Sequence, residues 1–118
     1  MNLKTLAEKV DLDEAEYQDM IGLFLKTTSL HLIQLETAVG TGDTVKVIES
    51  AHSIKGSAAC LGLTGISGAA WGMEANARAN NLTGAGRAVQ TIKAEVEQVA
   101  ELVSASSTTW NGYVGKAI

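Results

Sequence analysis

A histidine, a lysine and a glycine lie close together in the segment Ala51-His52-Ser53-Ile54-Lys55-Gly56, whose composition is otherwise helical. A neutral imidazole is a nucleophile, and an ordinary pKa of about 6.5 leaves a useful fraction neutral at physiological pH. Lys55 follows His52 by one helical turn and can bring a positive charge to an anionic group. Gly56 costs a helix about 1 kcal/mol relative to alanine. Close approach of another protein to His52 would explain why a glycine is used there.

Phosphoryl transfer is the chemistry that these side chains fit best. A ring nitrogen of His52 would attack the phosphorus, and Lys55 would offer its charge to the phosphate oxygens. Gly56 and Ala59 would leave room for a partner's active site to reach the histidine. A histidine that adjoins the row of buried apolar residues along a helix, here called the apolar seam, more often has a structural role. We expect that role for the second histidine, His31. The elements around His52 therefore decide between the two interpretations.

The helices that position His52 are predicted from the spacing of apolar residues. Residues 2–9 suggest a short helix, and Asp11 or Asp13 would cap a second helix that ends at Gly40-Thr41-Gly42. Three further helices are predicted over 44–61, 65–80 and 85–104. Apolar residues recur at steps of three and four, and the loops are short. We therefore expect an all-α protein, an antiparallel up-down four-helix bundle with a short additional N-terminal helix.

The predicted core is made of the apolar seams of the four long helices. The seam residues are Ile21, Phe24, Leu32, Leu35, Val47, Ala51, Ile54, Ala58, Leu61, Ile66, Ala70, Met73, Ala77, Val89, Ile92, Val96, Val99 and Val103. The fourth helix also has a stripe of small residues, Gly65, Gly68, Gly72, Ala75 and Ala79. Close packing against a neighbouring helix or a mobile helix would each explain that stripe.

The position of His52 relative to its seam predicts a partner for it. His52 follows the seam residue Ala51 and so lies about 100° around the helix from the core direction. Glu74 follows the seam residue Met73 in the same way on the next helix. If the turn between these antiparallel helices centres on Leu63, His52 and Glu74 are each eleven residues from it and share one groove. Glu74 would then accept the second ring N–H, fix the tautomer and make the free nitrogen a better nucleophile.

Trp71 and Arg78 occupy the same flanking stripe of the fourth helix as Glu74. Tryptophan is enriched among the residues that dominate binding energies. Trp71 would therefore give a docking surface an apolar anchor, or it would close the rim of the bundle. The sequence leaves both alternatives open.

Composition and charge bound the class of protein. The chain has 118 residues, no proline and a net charge of −4, which favours one helical domain and argues against nucleic-acid binding. The single cysteine, Cys60, excludes an intramolecular disulfide and fits a reducing compartment. The spacing of Cys60 from His52 does not suit zinc, so no metal site is predicted. No apolar run reaches about eighteen residues and no signal-like N-terminus is found, so the expected location is the cytoplasm, without membrane contact.

The sequence His52-x-x-Lys55-Gly56-Ser57, with Gly62 ten residues after the histidine, resembles the histidine-containing phosphotransfer (HPt) domains of two-component signalling. The resemblance covers about residues 12–103 of a predicted domain over 1–103. It leaves 104–118 as a linker-like or C-terminal tail.

The resemblance implies that His52 is the phosphoacceptor and exchanges a phosphoryl group with an aspartate of a receiver domain. Glu74 falls where the family often has a Gln or Glu bonded to the histidine, and Arg78 falls where some members have a second cation. Cys60 departs from the family, which often has a polar residue such as Asn at that position. The implied docking residues are Gly56, Ala59, Trp71 and Arg78.

The resemblance also implies a phosphocarrier rather than an enzyme. Such domains have no nucleotide site and no kinase activity of their own, and the Mg²⁺ belongs to the receiver, so no cofactor is expected on this chain. The expected partners are a response-regulator receiver domain, a histidine kinase or both, and the chain is expected to be a monomer. Two alternatives stay open: the phosphoacceptor domain of a chemotaxis-type histidine kinase, and an interaction module that docks receivers without being phosphorylated.

Overall fold

The structure is a computed structural model that describes the backbone of residues 2–106 and the side chains of residues 2–104. The described range contains five α-helices: α1 (Leu3–Lys9), α2 (Glu14–Thr41), α3 (Thr44–Cys60), α4 (Thr64–Arg78) and α5 (Ala85–Ser106). From α2 to α5, each helix packs against the next one along the chain. Helix α5 also contacts α2, which closes the bundle. The predicted all-α fold, a four-helix bundle with a short N-terminal helix, is confirmed.

Local signals in the sequence set the ends of the long helix α2. Asp13 accepts a hydrogen bond from the Glu16 amide at 2.8 Å while the Glu16 carboxylate accepts one from the Asp13 amide, which is a capping box. At the other end Gly42 has a φ of 72°, a left-handed conformation that suits glycine. Asp43 then caps α3 by accepting a hydrogen bond from the Lys46 amide at 3.1 Å. Because only two residues separate α2 from α3, these helices must be antiparallel neighbours.

The core consists of the predicted seams. All eighteen predicted seam residues are buried. The burial extends to Thr28, a polar residue in a gap of the α2 seam, and to Tyr17 in the first turns of the same helix. Tyr17 donates a hydrogen bond from its hydroxyl to the carbonyl of Leu61, and burial raises the pKa of this phenol to about 12. This hydrogen bond joins the start of α2 to the end of α3.

The tight turn between α3 and α4 sets the register of the two helices that form the site. Gly62 has a φ of 72°, and the amide of Leu63 donates to the carbonyl of Ala58 at 2.9 Å. The short helix α1 covers this turn, since Lys9 Nζ donates to the Gly62 carbonyl at 3.3 Å. Within the described range, no helix is both long enough and apolar enough to cross a membrane.

The small-residue stripe of α4 does not serve close helix packing along its length. A Cβ added at Gly68 or Gly72 would meet no heavy atom of the described residues within 4 Å beyond the local backbone. Ala75 and Ala79 are exposed. At Gly65 alone an added Cβ would collide with a side chain, the Glu95 carboxylate of α5. Most of the stripe therefore faces solvent, which argues against the first of the two alternatives, close packing against a neighbouring helix.

Two helix ends differ from the predicted ones by two residues, and the starts of α1 and α4 and the end of α3 differ by one residue. Helix α4 ends at Arg78 instead of residue 80, because Asn80 takes a left-handed conformation with a φ of 58°. Helix α5 continues to Ser106, past the predicted end at 104, because serine and alanine are compatible with a final helical turn. The remainder of the predicted tail, residues 107–118, lies outside the described residues.

Candidate functional site

The groove between α3 and α4 brings His52 and Glu74 together, as the spacing of the two seams predicts. The Nδ1 atom of His52 lies 3.2 Å from Oε2 of Glu74. The two side chains differ in their access to water: 63% of the His52 side chain is exposed, but only 7% of the Glu74 side chain. The imidazole is thus available to a partner, whereas its acceptor is fixed inside the bundle.

Two cations also contact the Glu74 carboxylate, one at each oxygen. Lys55 Nζ forms an ion pair with Oε1 at 2.8 Å, and Arg78 Nη2 donates to Oε2 at 2.7 Å. Arg78 follows Glu74 by one turn of α4, while Lys55 reaches across the groove from α3. The buried carboxylate therefore has three basic side chains within 3.2 Å, and two of them are cations.

These contacts keep Glu74 ionised. The hydrogen bond from Lys55 is the largest cause of a lowered pKa, and Arg78 and His52 lower it further. Burial acts in the opposite direction, because it disfavours the charged form. The outcome is a pKa of about 2 instead of 4.5. An ionised Glu74 can only accept hydrogen bonds, so a hydrogen bond between the two groups needs the Nδ1–H tautomer of His52, which leaves Nε2 with a free lone pair when the ring is neutral.

Lys55 contacts Glu74 in this structure, whereas the sequence predicted only an interaction of its charge with phosphate oxygens. Its side chain is 28% exposed, so the ammonium lies at the edge of the groove. A lysine at this position can reach either the carboxylate below it or an anionic group above it, because its stem is flexible. The contact between Arg78 and Glu74 could have been predicted from the sequence, because residues four apart on a helix are neighbours.

The predicted docking residues on α3 and α4, Gly56, Ala59, Trp71 and Arg78, are all exposed, as His52 is. A Cβ added at Gly56 would meet no heavy atom of residues 2–106 within 4 Å beyond the local backbone, and Ala59 is exposed. Trp71 is 63% exposed, so it does not close the rim of the bundle. Trp71 instead lines a shallow hollow with Lys55, Glu74, Arg78 and Ala75, of which Ala75 was not predicted as a site residue.

The other residues considered from the sequence lie away from this groove or contribute no ligand set. His31 is half-buried on α2, as expected for a structural histidine, and Cys60 is an exposed free thiol at the end of α3. Across the described part of the chain, no group of three or more His, Cys, Asp or Glu side chains could hold a metal ion.

Comparison with known proteins identifies a family whose model matches this chain and a solved structure with a similar fold. Residues 19–102 match the family model described as the Hpt domain. The fold is similar to the crystal structure of histidine-containing phosphotransfer protein B (HptB) from Pseudomonas aeruginosa PAO1. That similarity has a TM-score of 0.76 and 26% sequence identity, and it covers 86% of this chain and 88% of that chain. No curated protein sequence gives a significant match.

Proposed function

The chain belongs to the Hpt domain family, whose function is histidine phosphotransfer in two-component signalling, and we propose that His52 is the residue that carries the phosphoryl group. In this proposal the chain takes the group from an aspartate of one receiver domain and passes it to an aspartate of another. The observation that carries the proposal is the pairing of an exposed imidazole with a buried, ionised carboxylate at 3.2 Å. The only other histidine, His31, is half-buried on α2.

The proposed step needs no proton acceptor apart from the groups in the groove. The lone pair on Nε2 of neutral His52 forms a bond to the phosphorus of an aspartyl phosphate, and the P–O bond to that aspartate breaks. The bonding electron pair leaves with the aspartate carboxylate. The ring becomes a phosphorylated imidazolium whose Nδ1–H still donates to Glu74, and the negative charge of Glu74 stabilises it. The reverse step returns the phosphoryl group to a second aspartate.

In this proposal the negative charge of the phosphoryl group is offset by Lys55 and by the metal ion of the receiver. The ammonium of Lys55 is at the edge of the groove and can turn from Glu74 toward the phosphoryl oxygens, where it would offset their charge. The Mg²⁺ that such a transfer requires would be held by the receiver. The chain itself would need no nucleotide and no kinase activity, which makes it a phosphocarrier.

The docking face in this proposal is the groove surface around His52. Trp71 supplies a large apolar contact, and the open space over Gly56 and Ala59 lets the receiver approach the imidazole. Family members interact with receiver domains and kinases in phosphorelays, and we expect both classes of partner to use this face. A monomeric state and a cytoplasmic location stay predictions from the sequence.

The test is transfer of phosphate from a phosphorylated receiver domain, with Mg²⁺, to the native chain and to two variants. His52→Gln removes the proposed acceptor, and His31→Gln is the matched control on α2. We expect acid-labile, alkali-stable phosphate on the native chain and on the control, and none on His52→Gln. Because the His52 side chain is mostly exposed, His52→Gln should have the native circular dichroism and melting temperature. Label retained by His52→Gln, or lost only from the control, would refute the assignment.

A further inference from the structure

One oxygen of Glu74 serves two donors that have different chemical roles. Oε2 lies 2.7 Å from Arg78 Nη2 and 3.2 Å from His52 Nδ1, whereas Lys55 contacts the other oxygen, Oε1. A charged guanidinium is a stronger donor than a neutral imidazole, because charge-assisted hydrogen bonds are shorter and about twice as strong as neutral ones. The shorter contact at Oε2 belongs to Arg78, so His52 makes the weaker of the two hydrogen bonds to this oxygen.

We propose that Arg78 is a positioning residue that competes with His52 for Oε2 of Glu74, and that an anionic group on a docked partner removes Arg78 from this oxygen. When Arg78 leaves, Oε2 becomes fully available to the Nδ1–H of His52. The Nδ1–H tautomer is then favoured, and Nε2 is the nucleophilic nitrogen. This inference rests on the proposed function, since it concerns the nitrogen that would receive the phosphoryl group.

The exposure of the two cations indicates which of them is free to move. The Arg78 side chain is 61% exposed, compared with 28% for Lys55. The guanidinium end of this i, i+4 pair is in water, where screening weakens its attraction to the carboxylate, although the carboxylate itself is buried. An incoming carboxylate or phosphoryl group can therefore replace Glu74 as the partner of Arg78, and guanidinium groups bind both kinds of oxyanion well. Lys55 would keep Glu74 ionised and in place through Oε1 while this exchange occurs.

The consequence is that the histidine would reach its most reactive state only in a complex. In the free protein Arg78 weakens the hydrogen bond that orients the ring. In the complex the acidic phosphorylation site of a receiver would attract Arg78 and so strengthen that bond at the moment of transfer. The partner thereby influences His52 without contacting its Nδ1 atom.

The test measures the tautomer of His52 in the free protein by nitrogen-15 NMR of the imidazole, at mildly alkaline pH where histidine is neutral. Arg78→Met removes the guanidinium and keeps an apolar stem. We expect the ratio of the Nδ1–H to the Nε2–H tautomer of His52 to rise, because Oε2 loses its stronger donor. Arg78→Lys restores a cation at the same i, i+4 position and should bring the ratio back toward the native value.

Two controls separate competition at one oxygen from a general effect of charge. Lys55→Met removes one positive charge from the same carboxylate but at Oε1, so the ratio should change less than in Arg78→Met. Arg87→Met repeats the arginine-to-methionine change on an exposed residue of α5, and the ratio should stay native. An unchanged or lower ratio in Arg78→Met, or equal changes in Arg78→Met and Lys55→Met, would overturn the competition.

The second part of the inference is tested with a receiver domain that has Mg²⁺ and beryllofluoride at its aspartate. Adding it to the native chain should raise the Nδ1–H share of His52, and adding it to Arg78→Met should produce no further rise. A complex that forms without any change in the native ratio would refute the release of Arg78. The tautomer of the free protein does not depend on transfer, so failure of the proposed function and failure of this inference can be told apart.

Discussion

The hydroxyl of Tyr17 donates a hydrogen bond to the main-chain carbonyl of Leu61, although the two residues are 44 positions apart in the chain. Tyr17 is fully buried near the start of α2, and Leu61 follows the last residue of α3. The bond therefore fixes one end of α2 against the turn that joins α3 to α4. Because that turn sets the level of His52 relative to Glu74, a contact remote from the groove supports the geometry of the site.

Tyr17→Phe should lower the free energy of unfolding by about 1–3 kcal/mol, because the Leu61 carbonyl would be left buried without its donor. Urea unfolding followed by circular dichroism measures this. In the native protein the raised pKa of about 12 means that the phenol stabilises the fold below its ordinary pKa of 10. That contribution should disappear as the pH rises from 10 toward 12. Tyr17→Phe should lack this alkaline loss, and an identical profile in both proteins would contradict the burial argument.

Glu74→Gln should remove an acid-dependent part of the stability. The pKa of Glu74 is lowered to about 2, so its ionisation stabilises the fold at pH values above its ordinary pKa of 4.5, and this contribution is lost as the pH falls toward 2. At neutral pH the variant should melt about 5 °C or more below the native protein, since Lys55 and Arg78 lose their charged acceptor.

The control for Glu74→Gln is Glu97→Gln, on the exposed face of α5. Melting temperatures measured between pH 2 and pH 7 should converge at the acid end for the native protein and Glu74→Gln. The control should follow the native curve throughout. A constant offset at every pH would mean that the carboxylate contributes by packing alone.

Trp71→Ala should weaken binding of a receiver domain without affecting the fold. Truncation of a tryptophan at the centre of an interface costs about 2 kcal/mol or more, which is about a thirtyfold increase in Kd. Isothermal titration calorimetry measures the Kd. Leu30→Ala removes a comparably exposed apolar side chain from α2 and should leave the Kd unchanged. Equal losses in the two variants would argue that docking does not centre on the α3–α4 groove.

Gly56→Ala should stabilise the free protein by up to about 1 kcal/mol, because alanine is a better helix former than glycine. The added methyl group has open space around it among the described residues. A larger side chain, as in Gly56→Leu, should slow phosphoryl transfer from a receiver while the melting temperature stays at or above the native value. Unchanged transfer in Gly56→Leu would show that no partner approaches this part of α3.

The relation between His52 and Glu74 could be predicted because it depends on helix geometry. A regular helix fixes the direction of each Cβ, and a short turn fixes the register of two antiparallel helices. These two constraints gave the direction in which His52 and Glu74 point from their helices and their distance from the turn. The same geometry identified the core residues of α3, α4 and α5.

The partner of Lys55 could not be predicted in the same way. A lysine has a flexible four-carbon stem, so the direction of its Cβ does not determine the position of its ammonium group. That position depends on which carboxylate is nearest, and Glu74 is contacted by three basic side chains at once. The sequence also left the orientation of the small residues of α4 open, since glycine and alanine are compatible with either a packed or an exposed helix face.

The alternation between buried seam residues and the positions that follow them has a consequence for how partners are distinguished. Ala51 and Ala70 are buried in the bundle, while His52 and Trp71, which follow them in the chain, face outward. Substitutions in the outward stripe can change which protein is recognised at little cost in stability, because they leave the core unaltered. Within one lineage, duplicated copies of such a bundle could acquire separate partners while folding equally well, so that parallel signalling routes stay insulated from one another.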